Sequence, residues 1–154
     1  MSQSQQPDFT SLAVSAGIQE TLEHALAEAH PFGLVAAYLF GSHAAGRAHR
    51  ESDVDIGILL DYALFPTRRE RFEERVRVTS WVIAQLGIND VDVVVLNDAP
   101  PQFARRIVFE GRGICGAGLP GTHAFVRDVQ LRAADLEPFL RRMRHLKREV
   151  LSRS

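Results

Sequence analysis

Short apolar runs alternate along the chain with longer segments in which apolar residues recur every three to four positions. Three of these runs, at residues 34–40, 54–60 and 91–96, are rich in Leu, Val and Ile and are bounded by Gly, Asp or Asn. Runs of this length and composition are typical of buried β-strands. We therefore predict three strands.

The longer segments predict helices at residues 11–29, 66–86 and 100–110, because their apolar residues have helical spacing and Pro or Gly marks their ends. Gly87 should end the second helix. The predicted core-facing stripe of that helix consists of Phe72, Val76, Thr79, Ile83 and Leu86.

Three further segments are less regular. Residues 42–52 are polar and predict a turn followed by a short helix that begins just after Ser42. Residues 111–121 hold five of the eleven glycines, so this segment is interpreted either as a loop or as a strand edge. Residues 122–152 are helical in pattern, and Pro138 is predicted to divide or kink this helix.

The order of these elements predicts an α/β fold, a small central sheet flanked by helices. A chain of 154 residues without an internal repeat or a long linker has room for one domain. We assign residues 11–154 to that domain, with a C-terminal helical segment from about residue 122. Residues 1–10 are expected to form a mobile N-terminal arm.

Composition narrows the class of protein. The chain is 45% apolar and 24% charged, which indicates a globular rather than a disordered protein, and its net charge of −1 does not favour nucleic acid or an anionic membrane as a partner. The single cysteine, Cys115, excludes an internal disulfide and a four-thiolate zinc site. Because neither a signal-peptide pattern nor a membrane-spanning stretch is evident, we expect a cytoplasmic protein.

The charge is divided unevenly along the chain. Residues 1–121 contain 10 Lys/Arg and 15 Asp/Glu, a net −5, whereas residues 122–154 contain 8 and 4, a net +4. Two interpretations remain open: a solvated helix, or a surface that binds an acidic protein partner or another polyanion. The second predicts partner docking by Arg141, Arg142, Arg144, Lys147 and Arg148.

One segment carries candidate chemistry: Gly41-Ser42, followed after ten residues by Asp53-Val54-Asp55. A glycine and a hydroxyl at the start of a helix are suited to phosphate, because the backbone N–H groups there are unpaired. Asp53 and Asp55 lie two positions apart on a predicted strand, so both carboxylates emerge on one face. Their mutual repulsion favours a divalent cation such as Mg²⁺.

A third carboxylate, Asp92, lies among apolar residues of the next predicted strand, where a charge is costly unless it is paired or bound to metal. If the two strands are neighbours, Asp92 reaches the same site. Three acids beside an anion-binding turn indicate two-metal phosphoryl or nucleotidyl transfer. The chain has neither a Lys-bearing Walker motif nor a dinucleotide fingerprint, which argues against P-loop and Rossmann enzymes.

The spacing Gly41-Ser42-x10-Asp53-x-Asp55 resembles the signature of the polymerase-β-like nucleotidyltransferases. The short chain and the segment VDVVVLNDAP at residues 91–100 resemble the minimal nucleotidyltransferase (MNT) antitoxin branch. The resemblance implies an α+β fold with a small mixed sheet.

The same resemblance implies a role for each site residue. Gly41 and Ser42 would bind the phosphates of ATP, and Asp53 and Asp55 would ligate two Mg²⁺ ions. Asp92 would ligate the catalytic ion and help to activate the acceptor hydroxyl.

The chain departs from the family pattern after Ser42. Many MNT proteins place an Arg at the positions held here by His43, Ala44 and Ala45. Arg47 is then the expected nucleotide-binding cation, with Arg50 as an alternative. Two interpretations of His43 remain: it contacts the nucleotide, or it is an exposed loop residue.

Members of the MNT branch are often antitoxins encoded beside HEPN-domain RNase toxins. The implied reaction transfers AMP from ATP to a tyrosine of the toxin, which would be the protein partner. One alternative is a nucleotidyltransferase that acts on a small molecule such as an aminoglycoside, although such enzymes usually have a second domain. Another alternative is an antitoxin that acts by binding alone. The intact set of three acids argues against it, because a protein that only binds would not need them.

Overall fold

A computed structural model describes residues 9–28, 33–46 and 53–153. The predicted arm at residues 1–10 falls largely outside these ranges. The described residues form four strands and four helices: α1 (Phe9–Glu28), β1 (Leu34–Phe40), β2 (Val54–Leu60), α2 (Arg68–Leu86), β3 (Val91–Val95), α3 (Pro101–Glu110), β4 (Arg112–Cys115) and α4 (Pro120–Ser152).

The four strands form one mixed sheet in the order β3-β2-β1-β4. β1 is antiparallel to β2 and to β4, whereas β3 is parallel to β2. The predicted α/β class with a small mixed sheet is therefore confirmed. The glycine-rich segment, left open between a loop and a strand edge, supplies the edge strand β4.

Side chains of a strand alternate between the two faces of a sheet, and helices cover both faces of this one. α1 and α2 pack against one face, and α3 and α4 pack against the other. No described helix combines the length and the apolar character needed to cross a membrane. The helix residues in the two apolar clusters are Leu22, Leu26, Val78 and Val82 on the first face and Ala104, Ile107 and Val129 on the second.

α2 begins and ends at clear capping residues. The Thr67 side chain accepts a hydrogen bond from the Glu70 N–H, and the Glu70 carboxylate accepts one from the Thr67 N–H, which together form a capping box. Gly87 ends the helix in the left-handed conformation, as predicted. The helix therefore begins at Arg68, two residues later than expected from Pro66.

The predicted stripe of α2 is wrong in phase. Phe72 and Val76 are exposed, whereas Arg71, Glu74, Val78 and Val82 are the buried residues. Two of these four buried residues, Arg71 and Glu74, are charged. A prediction from apolar residues alone therefore places the buried stripe one position away from the observed one. Arg71 is accommodated because its guanidinium donates two hydrogen bonds to the Asp98 carboxylate, at 2.8 and 2.9 Å, and a third to the Phe65 carbonyl.

We expect Arg71→Ala to lower the free energy of unfolding by about 3 kcal/mol, because it leaves Asp98 without its main partner in a largely buried position. Arg69→Ala is the matched control two positions away. It removes only an exposed pair with Glu73 and should cost less than about 0.5 kcal/mol. Urea denaturation of both variants measures the difference, and equal losses would contradict a structural role for the Arg71–Asp98 pair.

α4 runs without interruption through Pro138, so the prediction that this proline divides the helix is wrong. Proline removes one backbone donor and leaves the carbonyl four residues earlier without its usual partner. That residue, Ala134, is exposed, and so is Pro138. Water can therefore satisfy the carbonyl, and the helix continues for more than three turns beyond the proline.

Candidate active site

A tight turn follows β1 at the end of the sheet. Gly41 has φ +71°, a conformation that favours glycine, and the Ala45 N–H donates a hydrogen bond to the Gly41 carbonyl at 3.1 Å. Residues 41–46 are all in turns, so the prediction of a helix that begins just after Ser42 is wrong. Arg47 and Arg50 lie outside the described residues, and their predicted roles stay predictions.

The strand register brings two of the predicted aspartates, Asp55 and Asp92, side by side at one end of the sheet. Asp55 in β2 lies opposite Phe40 in β1 and opposite Asp92 in β3. Asp53 precedes Asp55 by two positions, immediately before β2 begins. Asp55 is half-buried, whereas Asp53 and Asp92 are exposed. Asp92 lies on an edge strand, so the expectation that it is enclosed by apolar residues is wrong, although the expected approach to Asp55 is confirmed.

Electrostatics within this group act mainly on Asp55. Burial raises the pKa of the Asp55 carboxyl above its ordinary range, and the Asp92 and Asp53 carboxylates raise it further, while the His43 ring acts in the opposite direction. Asp53 and Asp92 are therefore each close enough to repel the Asp55 carboxylate. A divalent cation would relieve this repulsion.

Gly41 makes room for the Asp55 side chain in addition to allowing the tight turn. A Cβ atom placed at Gly41 would collide with Oδ2 of Asp55, so the carboxylate lies directly against the backbone of the turn. From the sequence, the missing side chain of Gly41 is expected to let a phosphate approach. The structure shows that Asp55 uses this space, which couples the turn to the acid group.

His43 is fully buried beneath the turn, and its Nδ1 lies 3.3 Å from the Ser15 Oγ of α1. Neither of the roles left open for His43, a nucleotide contact or an exposed loop residue, describes this position. Ser15 shares the buried side of α1 with Leu22 and Leu26. A serine at helical spacing from two core leucines was the available signal that α1 makes a buried polar contact.

The donor chemistry of the acid group fits Mg²⁺, which prefers carboxylate oxygens. Within the described ranges, no three His, Cys, Asp or Glu side chains are grouped closely enough to hold a metal ion as they stand. Asp53 and Asp92 are exposed, so their side chains are free to rotate toward Asp55. That these three carboxylates hold the ion stays a prediction.

Two cavities flank the acid group, and the Phe103 side chain lines both. The first, of about 280 Å³, lies between the 41–46 turn and α3 and includes Phe40 and Arg106; we call it the turn cavity. The second, of about 330 Å³, follows the outer edge of β3 between α2 and α3; we call it the edge groove. Its lining includes Arg68, Phe72, Arg75 and Asp92.

Phe103 and Phe72 were not among the site residues expected from the sequence. Phe103 contacts Phe40 edge to face at 5.9 Å between ring centroids, and Phe72 is 56% exposed and stacks with Arg75. Phe72 was predicted to face the core, and Phe103 was not singled out. Their exposure beside Asp92 indicates surfaces that a substrate can contact.

Comparisons with known proteins agree with this geometry. A curated relative, the protein adenylyltransferase MntA of Shewanella oneidensis (strain MR-1), is 32% identical over 79 residues, which cover 51% of this chain and 52% of the relative. The chain therefore matches about half the length of that relative.

Solved structures resemble the fold. A toxin–antitoxin with AMP-PNP has a TM-score of 0.52 at 24% identity and covers 87% of this chain and 95% of its own. The toxin–antitoxin MntA-HepT has a TM-score of 0.53 at 21% identity, with 83% and 97% covered. The family described as "Polymerase beta, Nucleotidyltransferase" matches residues 20–117, which contain the turn and all three aspartates. The chain belongs to this polymerase-β nucleotidyltransferase family.

Proposed function

We propose that this chain is a Mg²⁺-dependent antitoxin that transfers AMP from ATP to a tyrosine of a HEPN-domain RNase toxin. The observation that carries the nucleotidyl-transfer part is the packing of Asp55 against Gly41, with Asp53 and Asp92 beside it. The protein acceptor is supported by the relative named a protein adenylyltransferase and by the fold shared with toxin–antitoxin structures. Because ATP and the RNA targets of such a toxin are cytoplasmic, we place the reaction in the cytoplasm.

The reaction joins the acceptor oxygen to the α-phosphorus of ATP and releases pyrophosphate. The backbone N–H groups of the turn and the Ser42 hydroxyl bind phosphate oxygens, while the side of Gly41 that lacks a Cβ accommodates the Asp55 carboxylate. Asp53, Asp55 and Asp92 would hold Mg²⁺, which supplies charge neutralisation on the phosphates and a lowered pKa of the acceptor hydroxyl. Asp92, exposed at the end of the edge groove, accepts the hydrogen bond of the entering hydroxyl.

We assign one substrate to each of the two cavities. The turn cavity adjoins the backbone of Gly41, so we assign the nucleotide to it; its lining also includes the Arg106–Glu110 ion pair. The edge groove contains Asp92 and the exposed Phe72, so it suits an aromatic acceptor. The groove lining carries two arginines, Arg68 and Arg75, and two aspartates, Asp92 and Asp98, so its charge is balanced.

Transfer of a label from [α-³²P]ATP tests this function directly. The chain, Mg²⁺ and a HEPN toxin encoded beside it are incubated, and the label is expected on the toxin but not on an aminoglycoside supplied instead. Asp53→Asn should remove the label. If the toxin is bound and inhibited while it stays unlabelled, the chain acts by binding alone, and label on the aminoglycoside alone would favour the small-molecule enzyme.

Phe72→Ala tests the assignment of the edge groove to the acceptor. Loss of a ring that is buried on acceptor binding should raise the KM for the toxin about tenfold or more, and ATP affinity should stay unchanged. Phe109→Ala is the matched control, because Phe109 is 53% exposed but does not line the groove. An effect on ATP rather than on the toxin would reverse the assignment of the two cavities.

A further inference from the structure

The turn after β1 has one residue that faces the interior of the protein. Of residues 41–46, His43 alone is buried, whereas the other five are exposed or half-buried. Three of those five, Gly41, Ala44 and Ala45, line the turn cavity. The turn therefore has an inner side, which consists of His43, and an outer side, which faces the proposed nucleotide.

The buried partner of His43 belongs to α1. The Ser15 Oγ lies 3.3 Å from His43 Nδ1, and Ser15 is itself buried. Because a hydroxyl both donates and accepts hydrogen bonds, this contact forms with either tautomer of the ring. Burial of two polar side chains is costly unless they are hydrogen-bonded. Two apolar side chains could fill the same space, but a hydrogen bond also fixes the orientation of the ring.

The same turn contacts the acid group. The Gly41 backbone lies so close to Asp55 Oδ2 that a Cβ atom would not fit between them, and the Ala45 N–H closes the turn on the Gly41 carbonyl at 3.1 Å. His43 lies within this closed turn, and its ring acts electrostatically on the Asp55 carboxyl. A displacement of His43 would therefore move the backbone against which Asp55 packs.

We propose that Ser15 and His43 are positioning residues, which hold the 41–46 turn against Asp55 in the geometry that nucleotidyl transfer requires. Both side chains are buried, so they act through the turn rather than by contact with the substrate. The inference rests on the proposed function in taking the turn to bind the phosphates of ATP. It adds α1, which carries none of the three aspartates, to the elements on which transfer depends.

Ser15→Ala tests the proposal with a small truncation. We expect kcat for AMP transfer and the affinity for AMP-PNP with Mg²⁺ each to fall about tenfold, because a small displacement of a positioned group is costly for the reaction. The KM for the toxin should not change, because the lining of the edge groove includes no residue of the turn. A changed KM for the toxin with an unchanged kcat would overturn the proposal.

Thr122→Val is the matched control for a general loss of stability. Thr122 is also fully buried, and it donates a hydrogen bond to the Gly116 carbonyl. Gly116 packs against the backbone of Val35, at the opposite end of β1 from the turn. This variant should lower the melting temperature as Ser15→Ala does, yet keep the kcat and the AMP-PNP affinity of the parent. Equal losses of activity in the two variants would overturn the proposal.

Two substitutions of His43 separate the hydrogen bond from the filling of space. Asparagine keeps a polar atom near the position of Nδ1 but is smaller than histidine, whereas leucine fills the space without a polar atom. If His43 positions the turn through Ser15, His43→Asn should retain more of the kcat than His43→Leu. This advantage should disappear when Ser15→Ala is added, because the two residues act through one contact. A higher kcat for His43→Leu would contradict the proposal.

Hydrogen exchange gives a readout that does not depend on catalysis. In Ser15→Ala, the Ala45 N–H that closes the turn should exchange at least about tenfold faster than in the parent, because local opening of the turn becomes easier. In Thr122→Val its exchange should not change. Unchanged exchange in Ser15→Ala would overturn the proposal even if AMP transfer is confirmed. Faster exchange in a chain whose parent neither binds AMP-PNP nor transfers AMP would contradict the proposed function alone.

Discussion

Asp55→Asn is expected to lower the rate of AMP transfer at least about 100-fold and to raise the melting temperature of the Mg²⁺-free protein. The substitution removes the carboxylate that lies between Asp53 and Asp92, with little change in side-chain volume. It therefore removes a metal ligand and a source of repulsion together. A stability gain coupled to a loss of activity is typical of a site where like charges are gathered.

The thermal effect should depend on pH. Burial and the neighbouring carboxylates raise the pKa of Asp55 in the folded state, so the folded chain holds this proton more tightly than the unfolded chain does. Ionisation then destabilises the parent protein as the pH rises through the raised pKa. The difference in melting temperature should be largest at neutral pH and should vanish below the ordinary carboxyl range.

Calorimetric scans in EDTA at several pH values measure this difference. The expected size is about 2–4 °C for each kcal/mol of repulsion removed. Transfer of labelled AMP by the same variant gives the second readout. Normal transfer rates would contradict the two-metal mechanism, and a lower melting temperature at neutral pH would contradict the electrostatic description of Asp55.

Gly41→Ala should be the most damaging change that alters no charge. The new residue would have to adopt a left-handed conformation, at a cost of about 1–2 kcal/mol, and its Cβ would displace the Asp55 carboxylate. We expect both stability and Mg²⁺-dependent ATP binding to fall. Denaturation curves and calorimetry with AMP-PNP provide the two measurements.

Gly17→Ala is the matched control for that substitution. Gly17 lies in α1, is exposed, and has open space within 4 Å of the position that a Cβ would take. Alanine there should stabilise the helix by about 0.5–1 kcal/mol and leave ATP binding unchanged. If Gly41→Ala behaves in the same way, the turn does not constrain Asp55.

The sequence was sufficient to predict the three strands β1, β2 and β3, because their apolar runs are local patterns. Asp55 lies in β2 as expected, whereas Asp53 immediately precedes the strand. The approach of Asp92 required only that β2 and β3 be neighbours. These predictions succeeded because strand periodicity alone determines which side chains share a face.

Features that depend on contacts distant in sequence could not be predicted in the same way. The phase of α2 follows from the pairing of Arg71 with Asp98, 27 residues later. The burial of His43 follows from Ser15, 28 residues earlier. In both cases a polar side chain occupies a buried position where the hydrophobic pattern would predict an apolar residue. The hydrogen bond to a distant partner offsets the free-energy cost of burying it.

The buried contact between Ser15 and His43 also bears on where the folding unit ends. A fragment limited to residues 20–117 would retain the turn and all three aspartates, yet it would lack Ser15 at one end and Thr122 and Val129 at the other. Thr122 is fully buried and donates a hydrogen bond to the Gly116 carbonyl at 2.6 Å. The region that the family match covers is thus shorter than the set of residues that form the core, and we expect a stable fragment to require at least residues 15–133.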